Sequence, residues 1–144
     1  MPGGNKETSK VDPAKLVPVE LNKIIINELQ EEQVIVLREI DGSRKFPIVV
    51  GINEAAAIER RLKGVRMPRP LTHELLATVI EKLGATIQRI EIVDLRGSTF
   101  YAQIIMEING KRVEVDSRPS DAIALGAAGM VPIFAAERVL MQVI

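Results

Sequence analysis

Residues 99–125 read TFYAQIIMEINGKRVEVDSRPSDAIAL, and this run decides the fold class. Thr99 to Ile108 is rich in aromatic and β-branched residues, which suit the pleated surface of a strand. Asn109-Gly110 follows. A two-residue hairpin turn needs positive φ at both central positions, and this pair supplies them most readily. Lys111 to Val115 is then the returning strand, and Ser120 to Ala128 a capped helix. A hairpin that runs straight into a helix predicts helices laid on largely antiparallel strands, the α+β class.

The pattern extends in both directions. Thr86 to Leu95 is expected as a strand before the hairpin, and Pro132 to Phe134 leads to a short helix from about Ala136. In the first half, Pro18 to Leu29, Gln33 to Ile40 and Lys45 to Gly51 read as strands, with Asp41-Gly42 as a hairpin turn and Pro47 marking an edge. Asn53 can cap a helix to about Leu62, and Thr72 a second one carrying Leu75, Leu76, Val79, Ile80 and Leu83 at helical spacing. The halves align. Asp41-Gly42 matches Asn109-Gly110, Asn53-Glu54-Ala55 matches Ser120-Asp121-Ala122, and Pro70 matches Pro132. The expectation is a compact single domain over residues 16–144, a duplicated β-β-β-α-α unit with a mixed or antiparallel sheet. A polar tail over residues 1–15, rich in Gly, Pro and Lys, is expected to be disordered.

Composition narrows the function. The chain has 144 residues, 47% of them hydrophobic, so one domain can bury a proper core. Cysteine is absent, which removes disulfides and thiolate metal sites. Lys plus Arg and Asp plus Glu balance at 19 each. Bulk electrostatic attraction to nucleic acid is therefore not expected, and any such contact must be local or weak. No signal peptide or bilayer-length apolar run is present, so the protein is expected to be soluble and cytoplasmic, with no membrane partner. Glycine-rich phosphate loops, H-E-x-x-H, nucleophile elbows and dinucleotide fingerprints are all missing.

Two segments can carry chemistry. Arg69 to Leu76 places the single histidine, His73, and the acid Glu74 in the first turn of a helix, where free N–H groups attract anions. Arg60, Arg61, Lys63, Arg66 and Arg69 precede it with no acid between them. A solvated helix end would look the same. Asp116 to Leu125 follows a strand end and opens a helix. Asp116 and Asp121 offer hard oxygen ligands suited to Mg²⁺, and Arg118 a fork for phosphate or carboxylate. Equally, Ser117 or Ser120 can be the helix cap, Arg118 and Asp121 an ordinary ion pair, and Asp116 a buried hydrogen-bonding group. Tyr101 can stack on a base, although a strand aromatic more often packs against its neighbour.

Taken in order, Pro47 to Gly51, Arg69 to Leu76, Thr99 to Ala102, Arg118 to Leu125 and Pro132 to Phe134 resemble the bifunctional nuclease family. The resemblance covers the chain from Val17 onward. It implies a compact, often oligomeric domain that cleaves both DNA and RNA, with the two segments forming one pocket. Arg69, Thr72, His73, Asp116, Arg118, Ser120 and Asp121 match the family's pattern, whereas Glu74 stands where an aspartate is common.

Two functional readings follow. In the first, Asp116 and Asp121, with Glu74, hold Mg²⁺ or Mn²⁺. His73 then acts as general acid or base beside the catalytic Asp116 and Asp121, and Arg69, Thr72, Arg118 and Ser120 bind phosphate. In the second, the pocket is a non-catalytic module that binds an anion or a partner's acidic group. The apolar Val139 to Ile144 suggests burial in the domain or against another subunit, and a homodimer is expected.

Overall fold

The computed structural model describes residues 12–143. Of the expected tail, residues 1–11 lie outside the described residues. Asp12 to Lys15 form a turn whose carbonyls accept hydrogen bonds from Glu137 N (Lys15 O, 2.8 Å) and Arg138 N (Pro13 O, 2.9 Å).

Seven strands and four helices follow: β1 Leu16–Ile25, β2 Glu32–Glu39, β3 Lys45–Gly51, α1 Ile52–Leu62, α2 Thr72–Lys82, β4 Thr86–Arg96, β5 Thr99–Ile108, β6 Lys111–Ser117, α3 Pro119–Ala127, β7 Ile133–Ala136 and α4 Glu137–Gln142. The strands form one mixed sheet in the order β3-β2-β1-β7-β4-β5-β6. Two antiparallel meanders thus flank a central strand, β7, which runs antiparallel to β1 and parallel to β4. The class is α+β, and the first half follows the expected β-β-β-α-α order. The second half departs from it. The stretch around Pro132 to Phe134 forms β7, inserted between α3 and α4, and joins the two meanders.

Period-two burial explains the strands. On β3, Phe46, Ile48 and Val50 are buried while Lys45, Pro47 and Val49 are exposed. Together with Ile35, Leu37, Ile92 and Ala102 they form one core with Ala55 and Ile58 of α1, Ile123 and Ala124 of α3, and Val139 and Leu140 of α4. A second cluster, Ile90, Ile104, Ala122 and Leu125, receives Ala77 and Ile80 of α2. The opposite sheet face carries a charged layer. There Arg89 lies 2.6 Å from the buried Glu91, and Arg112 lies 3.0 Å from Glu114.

Several local expectations are corrected. Asn109 and Gly110 have φ of 52° and 76°, as their turn requires. Asp41 and Gly42 do not have positive φ, and residues 40–44 make a longer connection. Arg44 closes that connection: its carbonyl accepts from Glu39 N at 2.9 Å, and its guanidinium binds Glu39 and Glu137. The first strand ends at Ile25 rather than Leu29, because the buried Gln33 side chain donates to the carbonyls of Asn27 and Gln30 and holds a turn. The helix N-caps are Gly51, Leu71 and Arg118, not Asn53, Thr72 and Ser120. For α1 the reason is direct: β3 ends at Gly51 and the helix begins at Ile52, leaving no loop in which a polar cap could sit.

Candidate functional site

Three helix N-termini converge on one cleft of about 440 Å³. Asn53 and Glu54 enter it from α1, Thr72 and His73 from α2, and Arg118 and Asp121 from the start of α3. The first N–H groups of a helix have no partner within it, and the helix dipole adds partial positive charge. Three such ends facing one space make it attractive to an anion.

Arg61 sets this geometry. Its Nε donates to Ala124 O at 2.6 Å and its Nη2 to Leu125 O at 3.0 Å, which ties α1 to α3. Its Nη1 donates to Glu74 Oε2 at 3.2 Å and so ties in α2. Glu74 also accepts from Leu71 N at 3.2 Å, closing the first turn of α2. Burial pushes the Glu74 carboxyl pKa up. The Arg61 hydrogen bond, the Leu71 N–H and the charges of Arg60 and Arg61 outweigh that, and hold it below the usual range.

Within the cleft, His73 Nε2 lies 3.0 Å from Asp121 Oδ1. Arg118 donates from Nε to the other carboxylate oxygen, Oδ2, at 2.9 Å. That bond, with the charge of Asp121, raises the Arg118 pKa, and the charge of Glu54 raises it further. The chain of contacts is therefore imidazole to carboxylate to guanidinium. Arg60 lines the same cleft; its Nε is buried and has no hydrogen-bond partner among the described residues. Its Nη2 lies 3.6 Å from Glu74, beyond good hydrogen-bond distance.

The structure thus brings His73, Thr72, Arg118 and Asp121 together. Ser120 lines an adjoining cleft of about 720 Å³, which shares Glu54 and Arg118 with the first. Arg69 is exposed and lines neither cleft. Asp116 is exposed and lines neither cleft. It pairs with Gln103, whose neighbours Ala102 and Ile104 are buried under α3. Residues opposite each other on paired strands share a face, so Asp116 lies on the charged side of the sheet, away from His73.

These positions bear on the expected cation. Glu74 is engaged by Arg60 and Arg61, Asp116 is on the far face, and both oxygens of Asp121 are in contact with His73 or Arg118. Among the described residues, no group of three or more His, Cys, Asp or Glu side chains is placed to share a metal ion. The trio Asp116, Asp121 and Glu74 does not fit a protein-held divalent cation.

Asn53, Glu54 and Arg60 were not among the site residues expected from the sequence. The internal repeat carried a signal for two of them, since Asn53-Glu54 aligns with Ser120-Asp121. The repeat-related acids Glu54 and Asp121 line the same cleft.

Among the described residues, no helix is long and apolar enough to cross a membrane. The sequence model of the bifunctional nuclease domain matches residues 35–144. An uncharacterized protein of Mycobacterium tuberculosis is 43% identical over 119 residues, 83% of this chain and 71% of the relative. Bifunctional nuclease 1 of Oryza sativa subsp. japonica is 28% identical over 103 residues, 69% of this chain and 31% of the relative. Bifunctional nuclease 2 of the same plant is 29% identical over 112 residues, 75% of this chain and 34% of the relative. With three quarters of its length matched by the domain model, this chain belongs to the bifunctional nuclease domain family.

Proposed function

We propose that this protein hydrolyses phosphodiester bonds in DNA and RNA at the cleft between the N-termini of α1, α2 and α3. The observation that carries this reading is the His73–Asp121 contact, set among three helix N-termini and two arginines. If His73 donates its Nε2–H to Asp121, the carboxylate fixes the tautomer and leaves Nδ1 to accept a proton. His73 then takes a proton from the attacking water as its oxygen bonds to phosphorus. The same proton passes to the ester oxygen as that P–O bond breaks, so acid and base roles fall to one imidazole in sequence. Arg118, Arg60 and the helix N–H groups face the growing negative charge on the phosphoryl oxygens. A 2′-hydroxyl plays no part in this scheme, which suits both DNA and RNA.

The expected Mg²⁺ or Mn²⁺ would have to be held by groups other than Asp121, both of whose oxygens are engaged by His73 and Arg118. No step above depends on it. The protein is read as a homodimer, the commonest closed assembly.

The neutral net charge favours a second reading, in which the same cleft binds an anion without cleaving it. One experiment separates the two. Labelled single- and double-stranded DNA and RNA are incubated with purified protein in Mg²⁺, Mn²⁺ or EDTA, beside His73→Ala. Cleavage that falls by about 10²–10⁴ in the variant supports the nuclease. Equal cleavage by the variant, or none by either protein, sinks it and leaves the binding module.

A further inference from the structure

The cleft of about 720 Å³ beside the His73 site has no part in the chemistry assigned to His73, yet it shares Glu54 and Arg118 with that site. Its size falls within the roughly 300–1,000 Å³ of small-molecule sites. Strand β3 supplies one wall through Pro47, Val49 and Gly51, and the turn from β4 to β5 supplies another through Ser98, Thr99 and Phe100. The rings of Phe46 and Phe100 stack with centroids 5.8 Å apart, although four strands separate β3 from β5 in the sheet. The sheet therefore curls about its core, and the cleft is the gap left where its β3 edge approaches β5. Pro119 and the buried Ser120, in the first turn of α3, close the end beside Arg118.

The walls suit a flat, weakly polar ligand. Strand β3 ends the sheet, so backbone groups along its outer edge have no ladder partner among the described residues. Such an edge presents N–H donors and C=O acceptors in a fixed row, which matches the hydrogen-bonding rim of a nucleic-acid base. Val49, Leu95, Phe100 and Pro119 add apolar surface for the faces of the ring. Stacking of this kind accepts any base, because every base has such a face.

Charge decides which part of a nucleotide enters. Glu31, Glu32 and Glu54 line this cleft, against the single guanidinium of Arg118. Glu32 stands opposite Gly51 in the ladder, and a Cβ on Gly51 would collide with Glu54 Oε1. The missing side chain at Gly51 thus makes room for the Glu54 carboxylate where the two clefts meet. Three carboxylates repel a phosphate, but they accept hydrogen bonds from sugar hydroxyls and base amines. The smaller cleft offers Arg60, Arg118 and three helix N-termini instead.

We propose that the larger cleft is a nucleoside subsite, which seats the base and sugar of the nucleotide whose phosphate is held at Arg118. The inference rests on the reading of the smaller cleft as the phosphate site. Arg118 stands at the junction, so a nucleotide lying across it keeps its charged end among the helix N-termini and its neutral end against β3. The base enters by leaving its neighbours in the strand, and the cleft thereby fixes which phosphodiester lies beside His73.

Titration calorimetry of the full chain with inorganic phosphate, adenosine 3′-monophosphate and adenosine 5′-monophosphate tests the subsite. Beside wild type stand Val49→Trp and Ser98→Trp, which fill the larger cleft from its two walls. Both positions are exposed and neither lines the smaller cleft; circular dichroism checks that each variant folds. One of the two nucleotides is expected to bind about tenfold or more tightly than phosphate. Each tryptophan removes that advantage and leaves phosphate affinity within about twofold of wild type. The tighter isomer shows on which side of the scissile phosphate the seated nucleoside lies. Nucleotides that bind no better than phosphate overturn the proposal. So does an advantage that survives in either variant, or phosphate affinity that falls in parallel with nucleotide affinity. The oligonucleotide cleavage assay reports on the nuclease separately. A protein that cleaves nothing but shows this binding pattern keeps the subsite and loses the nuclease, and His73-dependent cleavage without a nucleotide advantage does the reverse.

Discussion

His73 Nε2 and Asp121 Oδ1 meet at 3.0 Å, although 48 residues of chain separate them. The two residues stand in the first turns of different helices, α2 and α3, and Arg61 of α1 holds both helices through Glu74 and the carbonyls of Ala124 and Leu125. The contact is a product of helix packing. Asp121→Asn keeps the shape and a hydrogen-bond acceptor but removes the charge that orients and stabilises the imidazolium. Its turnover on labelled oligonucleotides is expected to fall by about 10²-fold or more, with little change in melting temperature. Full turnover in the variant would show that the pair is structural only.

Arg60 and Arg69 should behave oppositely. Arg60 lines the cleft with a buried Nε that has no hydrogen-bond partner among the described residues, whereas Arg69 is exposed and lines no part of it. Charge-assisted hydrogen bonds contribute about 1.5–3 kcal/mol, so Arg60→Gln is expected to weaken oligonucleotide binding roughly 10–100-fold. Arg69→Gln should change it less than about threefold. Fluorescence anisotropy at fixed ionic strength reads both, and the reverse ranking would place the phosphate elsewhere.

Asp116→Ala is expected to leave cleavage and binding unchanged, because Asp116 lies on the far side of the sheet. A loss of activity comparable to that of Asp121→Asn, in a variant of normal stability, would contradict this placement.

Arg61→Ala should cost stability. Its guanidinium is nearly buried and donates to two helix-end carbonyls and to Glu74, all of which lose a charged partner. The expected loss is about 2–4 kcal/mol in urea unfolding. A change below about 0.5 kcal/mol would mean that the three helices are held by their apolar contacts alone.

Acid should loosen the C-terminal region through Glu137. The Arg44 hydrogen bond holds its carboxyl below the usual range, against the opposing effect of burial. A depressed folded-state pKa stabilises the fold above the ordinary glutamate value of about 4.3, and that contribution is lost as pH falls through the lower folded value. Glu137→Gln is therefore expected to be less stable than wild type by about 1.5–3 kcal/mol near pH 7. The difference should shrink steadily below about pH 4.3. A gap that is constant down to pH 3 would rule out this linkage.

Much of the fold was legible because its signals are local. The Asn109-Gly110 turn needs only two residues with positive φ, and strands such as Lys45–Gly51 show their buried side by period-two alternation within seven residues. The helix caps were misread for an equally physical reason. A polar residue near a helix start is a cap only if a loop gives it room, and β3 passes into α1 without one. Asp41-Gly42 carries a turn signal, yet the Arg44 contacts with Glu39 and Glu137 favour a longer connection.

The sequence by itself determined the class, most of the elements and the two segments that carry His73 and Asp121, since each depends on propensity and spacing along a short stretch. The tertiary structure decided which of the candidates meet. Strand register sent Asp116 to the far face, and helix packing turned Arg61 inward and left Arg60 in the cleft. It also placed β7 between two meanders more than thirty residues apart in the chain. Such outcomes depend on contacts between distant residues, which compete for a limited core, and no local pattern encodes which contact wins.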